Sequence, residues 1–261
     1  MTGFSAALWA EKLKARRSRA PWLTALAMSA APLVGGLFMM ILRDPEWARR
    51  SGLISTKAQI TVGVADWPTY FGMLSQAIAV AGLIVYGLIA IWLFGREYGD
   101  RTAKDLLALP VSRGAIVAAK LVVAATWSVV LVVEVYVIGL GVGFAVNLPG
   151  WSPALAADSA VQLAAIAGLT ILLVIPLALV ASAGRGYMAP VGVMFVLMAL
   201  AQIFAVLGWG AYFPWSVPLF LSGAVGPSEQ SVEPASYLLV ALAGTVGVAG
   251  TLAWWQWADQ T

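Results

Sequence analysis

Charged side chains crowd into one segment of this chain, between two long apolar stretches. Six of them fall at residues 96–105 and two leucines follow: Arg96, Glu97, Asp100, Arg101, Lys104, Asp105, Leu106 and Leu107. A charged rim around apolar anchors is the pattern of a surface that docks onto another protein. We therefore expect residues 96–113 to bind a partner. The alternative is a solvated loop held together by pairs of opposite charges one helical turn apart.

The same segment carries the signals that end one helix and start another. Pro110 breaks the helical pattern, because it lacks an N–H and its ring clashes with the preceding turn. Ser112 suits the N-cap of a new helix, with Arg113 and Lys120 near its start. The sequence therefore predicts a short helix at a membrane surface, placed between two membrane-spanning helices.

Glu134 is the second residue that could do chemistry, because it lies midway along an apolar run. A charged carboxylate at that depth costs about 3 kcal/mol or more. It is either a proton- or cation-sensitive group on a translocation path, or a neutral carboxyl packed against Tyr136 or a hydroxyl of a neighbouring helix. Gln202, in a later apolar run, suits a hydrogen bond between helices better than a substrate contact, and both it and Tyr136 remain candidates for the path.

The residues needed for most catalytic sites are missing. The chain has neither histidine nor cysteine, which removes the usual general base, thiolate chemistry and the commonest metal ligands. It has no phosphate-binding G-x-x-x-x-G-K-[ST] motif and no H-E-x-x-H motif. We therefore expect no catalytic residues, no metal site and no cofactor in this chain.

Composition places the chain in the membrane. Of its 261 residues 61% are hydrophobic and 10% charged, whereas a soluble domain carries about 25% charged residues. Since each crossing takes about 20 apolar residues, the spans use most of the chain. We expect an all-α, polytopic membrane protein with one membrane domain over residues 1–261.

Six spans are predicted, at about 22–42, 69–94, 115–146, 158–183, 187–207 and 235–255. Residues 1–20 are predicted to form an amphipathic helix at the membrane surface, with Phe4, Leu8 and Leu13 on one face. Residues 43–68 form a polar loop. Residues 208–234 are apolar but broken by prolines, which is typical of a re-entrant or interfacial segment.

The basic residues predict which side each loop faces. With the N-terminus inside, 11 of the 15 Lys and Arg lie on the inner side, and the outer four are Arg43, Arg49, Arg50 and Lys57. Because basic loops stay in the cytoplasm, this bias predicts that both termini are cytoplasmic.

The charged segment resembles the signature of the ABC-2 type permeases, the membrane subunits of type V ABC exporters. The matching positions are Glu97-Tyr98, Arg101-Thr102, Leu106-Leu107, Pro110-Val111-Ser112-Arg113 and Lys120. The match covers about 25 residues, and the six-span topology extends it over the chain. Arg101 departs from the pattern, since the family usually has glycine before the threonine.

The resemblance implies a permease subunit of an ATP-driven exporter in a prokaryotic plasma membrane. Such permeases work as pairs, of like or sister subunits, with separate ABC ATPases that bind the ATP and magnesium. Residues 96–113 would be the coupling helix and its flanks, docking on the ATPase through Glu97, Tyr98, Arg101, Thr102, Asp105, Leu106, Leu107, Pro110, Ser112 and Arg113. The expected cargo is a small amphipathic or hydrophobic molecule such as a drug, antibiotic or peptide.

Two other classes of function remain open from the residues. A self-contained secondary transporter or channel would use Glu134 as its proton or cation site, and should show inverted halves. Spans one to three do not mirror spans four to six. A structural or immunity-type membrane protein is the third possibility. Neither alternative accounts for the charged segment at 96–120.

Overall fold

The computed structural model describes residues 3–53, 63–100, 102, 106, 110–223 and 232–257. Within these ranges the chain forms nine α-helices and no strand: α1 Gly3–Arg17, α2 Ala20–Arg43, α3 Pro45–Arg50, α4 Trp67–Gly99, α5 Arg113–Ala145, α6 Pro153–Ala183, α7 Met188–Val206, α8 Val217–Leu221 and α9 Pro234–Trp257. Two 3₁₀ turns, Gly210–Tyr212 and Pro214–Ser216, precede α8.

Six of these helices, α2, α4, α5, α6, α7 and α9, are long and apolar enough to cross a membrane. The prediction of an all-α protein with six spans is confirmed, with boundaries shifted by up to five residues. Several starts are fixed by capping side chains. Asp66, Ser112 and Ser152 accept hydrogen bonds from backbone N–H groups in the first turns of α4, α5 and α6. The predicted N-cap at Ser112 is thus confirmed.

Helix α4 lies at the centre of the bundle and contacts α2, α5, α6 and α7. Its buried face is continuous from Trp67 to Glu97. Glycines on neighbouring helices allow close approach, and at Gly143 an added Cβ would overlap the Trp67 ring. The exposed apolar side chains of α2 and α5, including Leu33 and Val133, suit lipid or a neighbouring subunit.

Helices α6 and α9 touch through a glycine that we expect to be irreplaceable. A Cβ on Gly247 would lie 2.7 Å from the backbone nitrogen of Pro176, which cannot move aside without shifting α6. Gly247→Ala is therefore expected to lower the free energy of unfolding by about 1–3 kcal/mol, the usual cost of overpacking. Thermal unfolding in detergent measures the loss.

Gly168→Ala is the matched control, because a Cβ there meets nothing within 4 Å. Alanine favours helix over glycine, so this change should stabilise slightly. Equal effects of the two substitutions would mean that the α6–α9 contact is looser than the structure indicates.

The loop at 43–68 contains a helix that the sequence analysis did not predict. Asp44 accepts a hydrogen bond from the Trp47 N–H at 2.9 Å, and Pro45 occupies the first turn of α3, where its missing N–H costs nothing. This cap-and-proline signal is present in the sequence. Residues 54–62 of the loop lie outside the described part.

The broken segment before α9 folds against the bundle. Its Ser216, Val217 and Leu219 are buried, and the Trp215 indole N–H donates to the Leu173 carbonyl at 3.1 Å, one turn before Pro176 in α6. Protection of such backbone by protein is what a segment at membrane depth requires. Whether residues 208–234 re-enter the membrane stays a prediction, and residues 224–231 lie outside the described ranges.

Candidate functional site

Helix α1 turns an unexpected face to the bundle. Its buried residues are Ala7, Glu11 and Ala15, one turn apart along one stripe, while Phe4 and Trp9 are exposed. The two alanines let α1 approach α5 closely. Glu11, only 2% exposed, is the one acid in this basic helix, and it points inward. A helix is present here, as predicted for residues 1–20, but its buried face is not the predicted apolar one. Its place at a membrane surface stays a prediction.

A buried ion cluster forms where α1, α4 and α5 meet; it consists of Glu11, Lys14, Glu97 and Lys120. The Lys120 ammonium, fully buried, donates to Glu97 Oε1 at 2.8 Å, to Glu11 Oε2 at 3.1 Å and to the Leu93 carbonyl at 2.8 Å. An ammonium has three N–H donors, so every donor of Lys120 is used.

Lys14 closes the cluster from α1. Its ammonium lies 2.9 Å from Glu11 Oε1 and 2.9 Å from Glu97 Oε1. Burial by itself lowers the pKa of Lys14, but hydrogen bonds and attraction to the two carboxylates outweigh it and raise the pKa above its usual value. The cluster therefore holds two acids and two bases, and its charges balance.

Glu97 connects the cluster to the segment that follows α4. Its second carboxylate oxygen accepts a hydrogen bond from the Thr102 hydroxyl at 2.8 Å, and its carbonyl accepts from the Thr102 N–H at 2.9 Å. The Leu106 N–H donates in turn to the Thr102 carbonyl at 3.0 Å. A displacement of this segment therefore acts directly on the carboxylate that Lys14 and Lys120 share.

Such a cluster is better suited to fixing helix positions than to stabilising the fold. Desolvation offsets most of the attraction within a buried ion pair, yet removing one partner costs about 3–5 kcal/mol because a buried charge is left uncompensated. The four groups must consequently stay together, and α1, α4 and α5 are held in one arrangement at this point.

Arg113 and Trp255 connect the ends of three helices, α5, α9 and α6. The Arg113 guanidinium donates to the Trp255 carbonyl at 3.1 Å and the Gln256 carbonyl at 3.3 Å, at the C-terminal end of α9, where a cation is favoured. The Trp255 indole donates to the Ser182 hydroxyl of α6 at 3.0 Å. The start of α5 thus holds the ends of α6 and α9.

The predicted docking residues fall into four groups. Glu97 is 2% exposed, so its side chain is turned into the cluster and not toward a partner. Thr102, Pro110 and Ser112 are exposed. Half-buried are Tyr98, Leu106 and Arg113, while Arg101, Asp105 and Leu107 lie outside the described residues. The docking role of the segment stays a prediction.

The three candidates for a translocation path occupy separate helix contacts. Glu134 accepts a hydrogen bond from the Ser29 hydroxyl of α2 at 2.7 Å, as its hydroxyl-bonded alternative anticipates. Tyr136 donates to the Ala156 carbonyl at 2.9 Å. The exposed Gln202 has no hydrogen-bond partner on another helix within the described residues, against expectation; it borders a cavity between α4 and α7.

Glu11 and Lys14 are the cluster members that sequence reasoning missed. Lys14 enters the sequence analysis only as one of the 11 basic residues counted on the inner side, and Glu11 is not considered there. The available signal was a lone acid flanked by alanines four residues away on either side, which is typical of a buried polar contact. Among the described residues no group of three or more acids is placed to hold a metal ion.

Two comparisons with known proteins identify the family of this chain. Residues 7–201 match the model of a family described as ABC-2 family transporter protein. The chain is also 30% identical over 187 residues to a protein named bacitracin transport permease protein BCRB of Bacillus licheniformis; the alignment covers 70% of this chain and 87% of that protein. The family match includes the ion cluster, four whole spans and most of α7. The chain belongs to the ABC-2 family of transporter proteins.

Proposed function

We propose that this chain is the transmembrane subunit of an ATP-binding-cassette exporter and that its ATPase docks against residues 102–113. Membership of the family implies an ABC ATPase partner. The observation that carries the proposal is the hydrogen bond between Thr102 and Glu97, because it ties the exposed Thr102 to a buried cluster shared by three helices. An ordinary solvated loop would need no such connection.

Transmission would follow the contacts of the cluster. Movement of the segment, when the ATPase binds and hydrolyses ATP, displaces Glu97 relative to its two ammonium partners. Lys120 passes the displacement to α5, and Glu11 with Lys14 passes it to α1. A contiguous network with few alternative arrangements can carry coupling of this kind between sites.

The relative is named for bacitracin transport, and we propose here a small amphipathic or hydrophobic cargo such as a drug, antibiotic or peptide. Such a cargo needs apolar surface with a few polar groups. The cavity beside Gln202 has this composition: about 270 Å³, with apolar walls that include Leu83, Phe195 and Trp215. Glu134 and Tyr136 stay candidates for the path.

The proposal also covers the subunit composition and the orientation in the membrane. Two permease subunits pair with two ATPases, and both termini face the cytoplasm, on the side where the segment meets the ATPase. ATP and magnesium bind the ATPase, so this chain contributes no catalytic residue. The charge bias of the loops supports the orientation.

Docking is tested by Leu106→Asp. A carboxylate in place of an apolar anchor should weaken ATPase binding at least about tenfold, since central anchors of interfaces contribute about 2 kcal/mol or more. The full-length permease is co-expressed with the ABC ATPase of its own genome, and the ATPase that co-purifies is quantified. Leu106 reaches Thr102 only through its backbone N–H, so the ion cluster should survive. Because the half-buried Leu106 side chain also packs against the core, thermal unfolding of the variant checks that it is folded.

Leu53→Asp is the matched control, because this exposed leucine lies in the loop predicted to face the other side. It should leave ATPase recovery unchanged. Equal recovery with Leu106→Asp and wild type would contradict docking at this segment. Transport by the purified permease without any ATPase would favour the secondary transporter with Glu134 at its centre.

A further inference from the structure

An apolar groove runs between α1, the start of α2 and α5. It encloses about 350 Å³. Its walls are aromatic and aliphatic: Trp9, Leu13, Pro21, Val123, Trp127 and Val130. Two cations, Lys12 and Arg16, line the groove together with these residues.

The charge at this groove has one sign. Lys12 and Arg16 lie one helical turn apart on α1 and are both exposed. No acidic side chain lines the groove, and neither cation has an ion-pair partner within the described residues. The nearest acid in sequence, Glu11, is committed to Lys14 and Lys120 in the ion cluster. Two uncompensated positive charges therefore lie beside this apolar groove.

The groove is preformed on its α5 side. The Trp127 indole N–H donates to the Thr24 hydroxyl of α2 at 3.1 Å, and the Trp127 ring meets the Trp92 ring edge-on at 6.0 Å. Val123 is buried at the base. A wall held in this way keeps its shape without a ligand, which lowers the cost of ordering on binding.

We propose that this groove binds one anionic phospholipid, with its phosphate at Lys12 and Arg16 and an acyl chain along the apolar wall. The occupant must combine an anion with a long apolar chain, and a phospholipid of the surrounding leaflet does so. Charge complementarity selects an anionic headgroup over a zwitterionic one. The exposed Trp9 ring beside the cations suits the headgroup level of a membrane. The inference does not depend on the export function.

The charge requirement is tested on the full-length permease by native mass spectrometry, with phosphatidylglycerol and phosphatidylcholine of identical acyl chains. Wild type should retain phosphatidylglycerol in preference. Lys12→Gln with Arg16→Gln should weaken its binding roughly 25-fold, because each cation near an anionic headgroup contributes about fivefold. The matched control is Arg17→Gln with Arg19→Gln, two exposed cations that do not line the groove; it should change binding less than twofold.

The chain requirement is tested by filling the groove. Thr126 lines it, whereas the neighbouring exposed Val129 does not. Thr126→Trp should weaken phosphatidylglycerol binding at least about tenfold although both cations are intact, and Val129→Trp should leave this binding unchanged. Thermal unfolding of each variant checks that it is folded. Equal retention of both lipids, equal loss in the control pair, or no effect of Thr126→Trp would overturn the proposal. So would inorganic phosphate binding alone with the same dependence on Lys12 and Arg16.

Discussion

Replacing Lys120 by methionine is expected to lower the free energy of unfolding by about 3–5 kcal/mol, the cost of leaving a buried charge without its partner. The Lys120 side chain is fully buried, and methionine retains most of its volume without the charge. Glu11 and Glu97 would then share Lys14 alone, with one negative charge uncompensated. Thermal unfolding of the purified permease, followed by tryptophan fluorescence in one detergent, measures the change.

If the loss of stability comes from the uncompensated charge, a second substitution that removes this charge should restore part of the stability. Glu11→Gln added to Lys120→Met leaves Lys14 paired with Glu97 at 2.9 Å and restores the balance. The double variant should therefore be more stable than Lys120→Met alone, although one buried charge pair is gone. Arg17→Met, an exposed change of similar chemistry, should have little effect.

A loss no larger for Lys120→Met than for Arg17→Met would mean that water reaches the cluster. A double variant less stable than Lys120→Met would mean that packing and hydrogen bonds, and not charge balance, hold the three helices together. Either outcome would remove the basis for treating the cluster as a unit.

The spans were predictable because membrane crossing imposes a simple requirement on sequence. A stretch of about 20 apolar residues needs no knowledge of its neighbours to be recognised. A local signal placed the start of α5 equally well, since the Ser112 cap contacts a backbone N–H only three residues away. The start of α3 carries a capping signal of the same kind, with Asp44 as the N-cap and Pro45 as the first helical residue.

The ion cluster was not predictable in the same way, because its contacts join distant parts of the chain. Lys120 and Glu11 are 109 positions apart, and Lys14 and Glu97 are 83 apart. The charged residues around Glu97 favoured a docking surface, yet helix packing turned this one carboxylate inward. The sequence shows which residues are charged; only the tertiary contacts show which charges face each other.

Glu134 also shows that a sequence can reveal the need for a partner without revealing which residue the partner is. The sequence identifies a carboxyl deep in an apolar helix and the need for a partner. It does not identify Ser29, 105 positions away, as that partner. The hydrogen bond at 2.7 Å gives this carboxyl one polar partner, and a role in transport must now be argued from function.

Removing the α1 half of the cluster should separate docking from transmission. Glu11→Gln with Lys14→Met deletes one acid and one base together, and leaves Glu97 paired with Lys120 at 2.8 Å in a balanced remainder. We expect ATPase recovery close to wild type. ATP-dependent transport, with labelled bacitracin as the first probe in inverted vesicles, should fall about tenfold, within the 1–3 kcal/mol range typical of coupling between sites.

The matched control is Glu46→Gln with Arg49→Met, which deletes another acid–base pair three residues apart, in α3, where Glu46 is exposed. An exposed pair contributes little, so transport should be unchanged. Unchanged transport in the α1 variant would mean that the segment acts through α5 alone. Loss of the ATPase from that variant would mean that the cluster shapes the docking surface itself. Because Leu106→Asp should lose both ATPase and transport, the pair of variants distinguishes binding of the motor from delivery of its movement to the spans.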